Sequence, residues 1–155
     1  MVKGENFLHA ARILAACAIS YGGSRLIGLH EGYWALITAV AVTHPALDDT
    51  LAAGRTRILG TLVGALAGLV IVEFAQLGAS SLLLFWVAMI PLAFLTAVRP
   101  DFRLSCATLV IVVLVPSTSA PFARPIGRVL EILLGTVASI AVLAVVPPRS
   151  ESSPK

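Results

Sequence analysis

The stretch GRTRILGTLVGALAG, Gly54–Gly68, carries the reading on which the fold turns. Two arginines, Arg55 and Arg57, are followed by glycines at every fourth position, Gly60, Gly64 and Gly68. Residues four apart share one face of a helix. In water each glycine would cost that helix about 1 kcal/mol relative to alanine. In lipid the balance differs. Lipid tails are as apolar as leucine, so helices gain little by hiding apolar side chains and associate by close approach, which small residues permit. The three glycines therefore read as a packing stripe, and the arginines as the anchor that holds one helix end at the cytoplasmic surface.

The composition agrees with a bilayer as solvent. Of 155 residues 58% are hydrophobic and 12% charged, at a mean hydropathy of +0.96. A soluble domain carries about 25% charged residues, so there is too little polar surface here to cover a globule in water. The net charge of +3 is small and reads as membrane topology, not as affinity for nucleic acid. Cys17 and Cys106 lie in apolar runs and read as small packing residues. The box Leu14–Cys17, LAAC, has the look of a lipoprotein cleavage site. Arg12, however, leaves four apolar residues before Cys17, against the 7–15 or so that a signal region needs. The first segment is expected to be retained.

Six apolar segments follow one another: Phe7–Leu29, Tyr33–Leu47, Arg57–Gly78, Ser81–Val98, Leu104–Val115 and Gly127–Val146. The expectation is an all-α, polytopic membrane protein of about six transmembrane helices. Residues 1–148 form its membrane domain, and residues 149–155 a disordered polar cytoplasmic tail. With the N-terminus inside, Lys3, Arg12, Arg55, Arg57, Arg99, Arg103, Arg149 and Lys155 fall on the cytoplasmic side. Arg25, Arg124 and Arg128 fall outside, a split of 8 to 3 that places both termini in the cytoplasm.

The second half echoes the first. Gly54-Arg55 recurs at Gly127-Arg128, Leu59–Thr61 at Leu134–Thr136, Pro45 at Pro116 and Arg25 at Arg99. Two readings stand: a 3+3 inverted repeat, common among transporters, or short matches arising by chance in an apolar sequence of low diversity. Segments 2 and 5 are short and both end at a proline. Such segments in matching positions point to a transport site. They offer Thr38, Thr43 and His44, and Ser105 and Thr108. The alternative is that these hydroxyls bond back to their own helix carbonyls.

Among the charges, Glu131 shares a helical face with Gly127, Gly135 and Ser139, and Arg128 lies three residues before it, within pairing reach. An intramembrane carboxylate is a candidate for proton coupling; an Arg128–Glu131 pair that satisfies itself near the outer interface is the other reading. Glu73 reads as a snorkelling interface residue, and Tyr33 and Trp34 as an aromatic belt. His44 and Asp48 are too few for a metal site. No nucleophile–base arrangement or phosphate-binding loop is present. Neither enzymatic activity nor a cofactor or metal is expected.

At Tyr33–Gly68 the likeness becomes specific. An aromatic pair entering a membrane segment, then Thr, Pro, a polar turn and R-x-x-G-T-x-x-G resemble the fusaric acid resistance protein-like family. That family includes aromatic acid exporters and is similar in its membrane part to plant aluminium-activated malate channels. The matching residues are Tyr33, Trp34, Thr38, Pro45, Arg57, Gly60, Thr61 and Gly64. Segment 6 resembles the end of the same membrane domain, and the likeness runs from about Ala10 to Pro148. Many members carry two six-helix halves and a cytoplasmic domain, so the resemblance implies a single half working as a homodimer or with another half. It also implies export of small organic carboxylates, aromatic ones among them. Arginine suits such anions, which adds Arg57 and Arg128 to the candidates, with Thr61 from the motif. A non-transporting membrane scaffold and an anion channel are the other readings.

The topology is open to test. Reporter fusions should place the C-terminus in the cytoplasm and a fusion at Gly78 outside. The opposite result at either position contradicts the 8-to-3 asymmetry.

Overall fold

The computed structural model describes residues 2–29, 31–115, 120 and 123–147. The chain forms α1 (Val2–Leu26), α2 (Tyr33–Val42), α3 (Leu47–Gln76), α4 (Ser81–Val98), α5 (Arg103–Leu114) and α6 (Ala123–Val145), with a 3-10 turn at Pro100–Phe102. No strand occurs among the described residues. The expected tail 149–155 and Pro116 lie outside them.

Among the described residues, α3, α4 and α6 are long and apolar enough to cross a membrane. The helix number thus matches the six expected segments, but three of the six meet that test. With 10 and 12 residues, α2 and α5 cover about 15 and 18 Å at 1.5 Å per residue, short of a hydrocarbon core of about 30 Å. The surface is apolar as well: α4 buries Phe85 and Leu92 and exposes Leu82, Leu83, Trp86, Val87, Ile90 and Phe94. A patch of that kind calls for lipid or protein cover. Pro91 sits inside α4, which membrane helices tolerate better than soluble ones.

The helix ends follow from local chemistry. Thr43 is extended at the end of α2, and Pro45 disfavours the α conformation for His44 before it. The His44 amide donates to the Thr50 hydroxyl at 2.9 Å, and Asp48 and Asp49 stand in the first turn of α3, where the helix dipole favours negative charge. This start lies ten residues ahead of the expected one, so Arg55 and Arg57 belong to the helix body. At the other end Gly78 adopts φ +91°. Its amide donates to Ala75 O, and that of Ala79 to Phe74 O, the paired bonds of a Schellman cap. The same bonds close α1 at Gly28, φ +75°, where the Gly28 and Leu29 amides donate to Arg25 O and Ser24 O. Glycine is needed in both caps because the left-handed conformation crowds a Cβ.

The chain divides into two compact units, residues 1–54 with 134–155, and residues 55–133. The first has a small-residue centre of Ala16, Ala39 and Val142, flanked by Cys17. In it the Arg12 guanidinium donates to Pro147 O at 2.8 Å. The second is built on Ile71, Phe85, Leu92 and Leu109, from α3, α4 and α5.

In the second unit the glycine stripe lies directly against α5. A Cβ added to Gly60 would fall 2.8 Å from Leu104 Cβ, and one on Gly68 2.6 Å from Val112 Cγ1. On Gly64 it would fall 2.7 Å from Thr108 Cβ and collide with the Ser105 carbonyl oxygen. Contacts advance together along both helices, so α3 and α5 run parallel, in a register that sets residue 60 beside 104, 64 beside 108 and 68 beside 112.

This packing predicts opposite signs for two alanine substitutions. Gly64→Ala should destabilise by about 1–3 kcal/mol, the usual range for overpacking, because the atoms it meets include rigid backbone. Gly22→Ala in α1, with nothing within 4 Å, should be neutral or gain up to about 1 kcal/mol of helix propensity. Thermal unfolding of the two variants in detergent measures both.

Candidate functional site

The polar side chains inside the helices divide by how they are satisfied. Ten buried residues carry hydroxyls, and most of these bond back to the preceding turn, the usual behaviour of helical Ser and Thr. Thr38 Oγ1 donates to Trp34 O at 2.9 Å, Thr43 Oγ1 to Ala39 O at 2.7 Å and Thr108 Oγ1 to Leu104 O at 3.0 Å. Three of the expected transport residues therefore have their hydroxyls engaged. Thr43 also meets Ser139 Oγ at 3.0 Å, and Ser139 reaches Ala39 O and Gly135 O. This link ties α2 to α6 within the first unit. Ser139 was visible in the sequence as a member of the small-residue face, but its partner on α2 was not.

Gly135 closes the same joint. A Cβ there would fall 2.8 Å from Thr38 Cβ and 2.5 Å from Ala35 O. Gly64 in the second unit has the same set of neighbours: a carbonyl oxygen and, three residues later, a threonine Cβ at 2.7 Å, whose hydroxyl bonds back four residues. Here too contacts advance together, from Gly135 on Ala35 and Thr38 to Ser139 on Ala39 and Thr43, so α6 and α2 run parallel.

Arg128 and Glu131 form a buried ion pair on α6, Nη1 to Oε2 at 2.8 Å, with side chains 6% and 3% exposed. The i, i+3 spacing gives the contact within one helix. Of the two readings of Glu131, the paired one is the arrangement seen. Gly127 has open space around its Cα, so the face it was expected to share with Glu131 and Gly135 is not packed along its whole length. Glu73 is exposed.

Three buried hydroxyls stand apart. Thr61, Ser105 and Thr136 have no hydrogen-bond partner, and neither has the buried Nε of Arg57. Thr61 and Ser105 are 1% and 0% exposed. Arg57, Thr61 and Ser105 belong to the second unit and Thr136 to the first, where its methyl lies against Gly54. Among the described residues no three His, Cys, Asp or Glu side chains come together to hold a metal.

The architecture is that of a helical membrane protein. Residues 14–142 match the fusaric acid resistance protein-like family, and the chain belongs to that family. It is also 25% identical over 142 residues, 92% of its length, to the inner membrane protein YccS of Escherichia coli (strain K12). The match covers 20% of YccS, so this chain spans about a fifth of that relative.

The ion pair makes a prediction. Removing one partner of a buried pair strands the other's charge and typically costs about 3–5 kcal/mol. Glu131→Gln keeps an acceptor but not the charge and should lie at or below the lower end. The double replacement Arg128→Met, Glu131→Met should regain most of the loss. Chemical denaturation of the three proteins in one detergent tests the order.

Proposed function

We propose that this chain is half of a membrane transporter that exports small organic carboxylates, aromatic acids among them, from the cytoplasm. The substrate class comes from the family likeness. In this reading the protein lies in the inner membrane, as the name of YccS suggests for that relative, with both termini cytoplasmic. It works as a homodimer or beside another half.

The observation that carries the proposal is the duplicated joint. Gly64 and Gly135 are 71 residues apart, their threonine neighbours Thr38 and Thr108 are 70 apart, and the acceptors of those threonines, Trp34 and Leu104, are again 70 apart. These near-equal offsets of 70 and 71 support a 3+3 inverted repeat in which α1–α3 correspond to α4–α6. Three crossings per half give the two halves opposite orientations. The parallel pairs α3/α5 and α2/α6 fit this alternation. The short helices α2 and α5 then occupy matching positions, a recurrent mark of transport sites. In the same frame Arg57 corresponds to Arg128, and Gly60 to Glu131, at the offset of 71.

One observation favours a second reading. Thr38, Thr43 and Thr108 are satisfied within their own helices, and Arg128 holds Glu131, as a non-transporting scaffold requires. Purified protein in liposomes separates the two. Benzoate efflux above protein-free vesicles, stimulated by a proton gradient, is the outcome expected of the transporter. Gradient-independent, ohmic benzoate current marks a channel, and benzoate retention equal to empty vesicles leaves the scaffold.

A further inference from the structure

Parallel packing of α3 and α5 also sets the level of the polar groups along the two helices. The register that sets Gly60 beside Leu104 and Gly64 beside Thr108 sets Thr61 level with Ser105. Both side chains are buried, and both hydroxyls lack partners. Thr61 has a carbonyl of its own helix four residues back, at Arg57, of the kind that Thr38, Thr43 and Thr108 use; Ser105 stands in the first turn of α5, and residue 101, four back, lies in the 3-10 turn before it. Two buried hydroxyls at the same level of adjoining helices are thus left with open hydrogen-bonding capacity. A buried polar group without a partner is costly and calls for an explanation.

Arg57 lies one turn before Thr61 on the same helical face. Its buried Nε has no hydrogen-bond partner, and no ion pair joins it to Asp101, the exposed acid that the register brings level with it. This level is also the start of α5, which has no side-chain cap and presents the positive end of its dipole. A guanidinium, two hydroxyls and a helix N-terminus are all suited to negative charge. Position 128, the counterpart of Arg57 in the other half, supplies a comparison. There Glu131 neutralises the arginine; at the equivalent of Glu131 stands Gly60. One arginine has a built-in anion, and the other has a glycine where that anion would be carried.

We propose that Arg57, Thr61 and Ser105 form a binding site for a small carboxylate anion at the start of α5. The guanidinium pairs with the carboxylate, and the two hydroxyls donate to its oxygens. The choice of a carboxylate rests on the transport reading above; the site itself rests on the unpartnered donors.

Equilibrium binding of sodium benzoate to the full chain in detergent, with sodium chloride at equal ionic strength as reference, tests this without requiring transport. Hydrogen bonds to a charged group carry more than neutral ones. Arg57→Gln should therefore weaken benzoate binding at least tenfold, and Thr61→Val and Ser105→Ala about tenfold each. Arg57→Lys should restore part of the loss, as a charge without the fork geometry would. Arg55→Gln, at an exposed position outside the site, should bind as the unaltered protein does. Should Arg57→Gln not fold, the double variant Thr61→Val, Ser105→Ala carries the same decision.

Unchanged affinity in these variants overturns the proposal, as does chloride competing on equal terms with benzoate, or no benzoate binding at all. Arg57-dependent binding without flux in liposomes leaves the site standing and removes the transport reading. Flux that is indifferent to Arg57, Thr61 and Ser105 does the reverse.

Discussion

The meeting of Gly64 with the backbone of α5 is the constraint on which the second unit depends. Hydrophobic burial cannot hold two helices together in lipid, because the lipid is itself apolar. What remains is dispersion, which falls away within a fraction of an ångström of lost contact. The helices must therefore touch, and at Gly64 they touch closely enough that a methyl group would collide with the Ser105 carbonyl. Gly60 and Gly68 extend that line over two turns. Once the line is set, the register is set too, and with it the level at which every other α3 side chain meets α5. Gly135 imposes the same condition on α6 and α2.

Polar groups within this packing are treated in two ways. Most hydroxyls are tied to their own helix, and Thr43 and Ser139 use their remaining capacity to join α2 to α6. Arg128 and Glu131 cancel one another within a turn. Both solutions are local and keep cost low in a medium with no water to share. Thr61, Ser105 and Arg57 depart from this economy. Thr61 and Ser105 share one level of the α3–α5 joint, with Arg57 one turn before Thr61; Thr136 is a further unpartnered hydroxyl in the first unit.

The sequence was legible where the signal is periodic and local. The glycine stripe announced a packing face, and α4 begins and ends at the residues its apolar run predicts. The start of α3 was not legible from hydropathy, because Asp48, Asp49 and Thr50 are polar residues recruited for the dipole and the cap. The stripe did not name its partner, since a period describes one helix and not the register between two. The LGT match pairs Gly60 with Gly135, whereas it is Gly64 whose neighbours resemble those of Gly135, at a spacing of 71 that the LGT match does not have. Nor does a Ser or Thr in an apolar run reveal whether it bonds back; Thr108 does and Ser105, three residues earlier, does not. Thr108 has Leu104 within its helix to accept that bond, whereas residue 101, four before Ser105, lies ahead of α5.

Helix length connects these points to function. In a bilayer a backbone that stops short must have its free amides and carbonyls satisfied by protein or by a water-filled cavity. Both α2 and α5 stop short, and each lies along a long helix whose glycine allows close approach. Such an arrangement lets a helix end stand at membrane depth without facing lipid. The N-terminal end of α5 carries the positive end of its dipole, beside the exposed Arg99, Asp101 and Arg103. A permanently neutralised arginine beside it would add nothing to that field. Arg57, with Gly60 rather than a carboxylate one turn on, adds a full charge, and the glycine that makes the helices touch is also the residue that leaves that charge uncancelled.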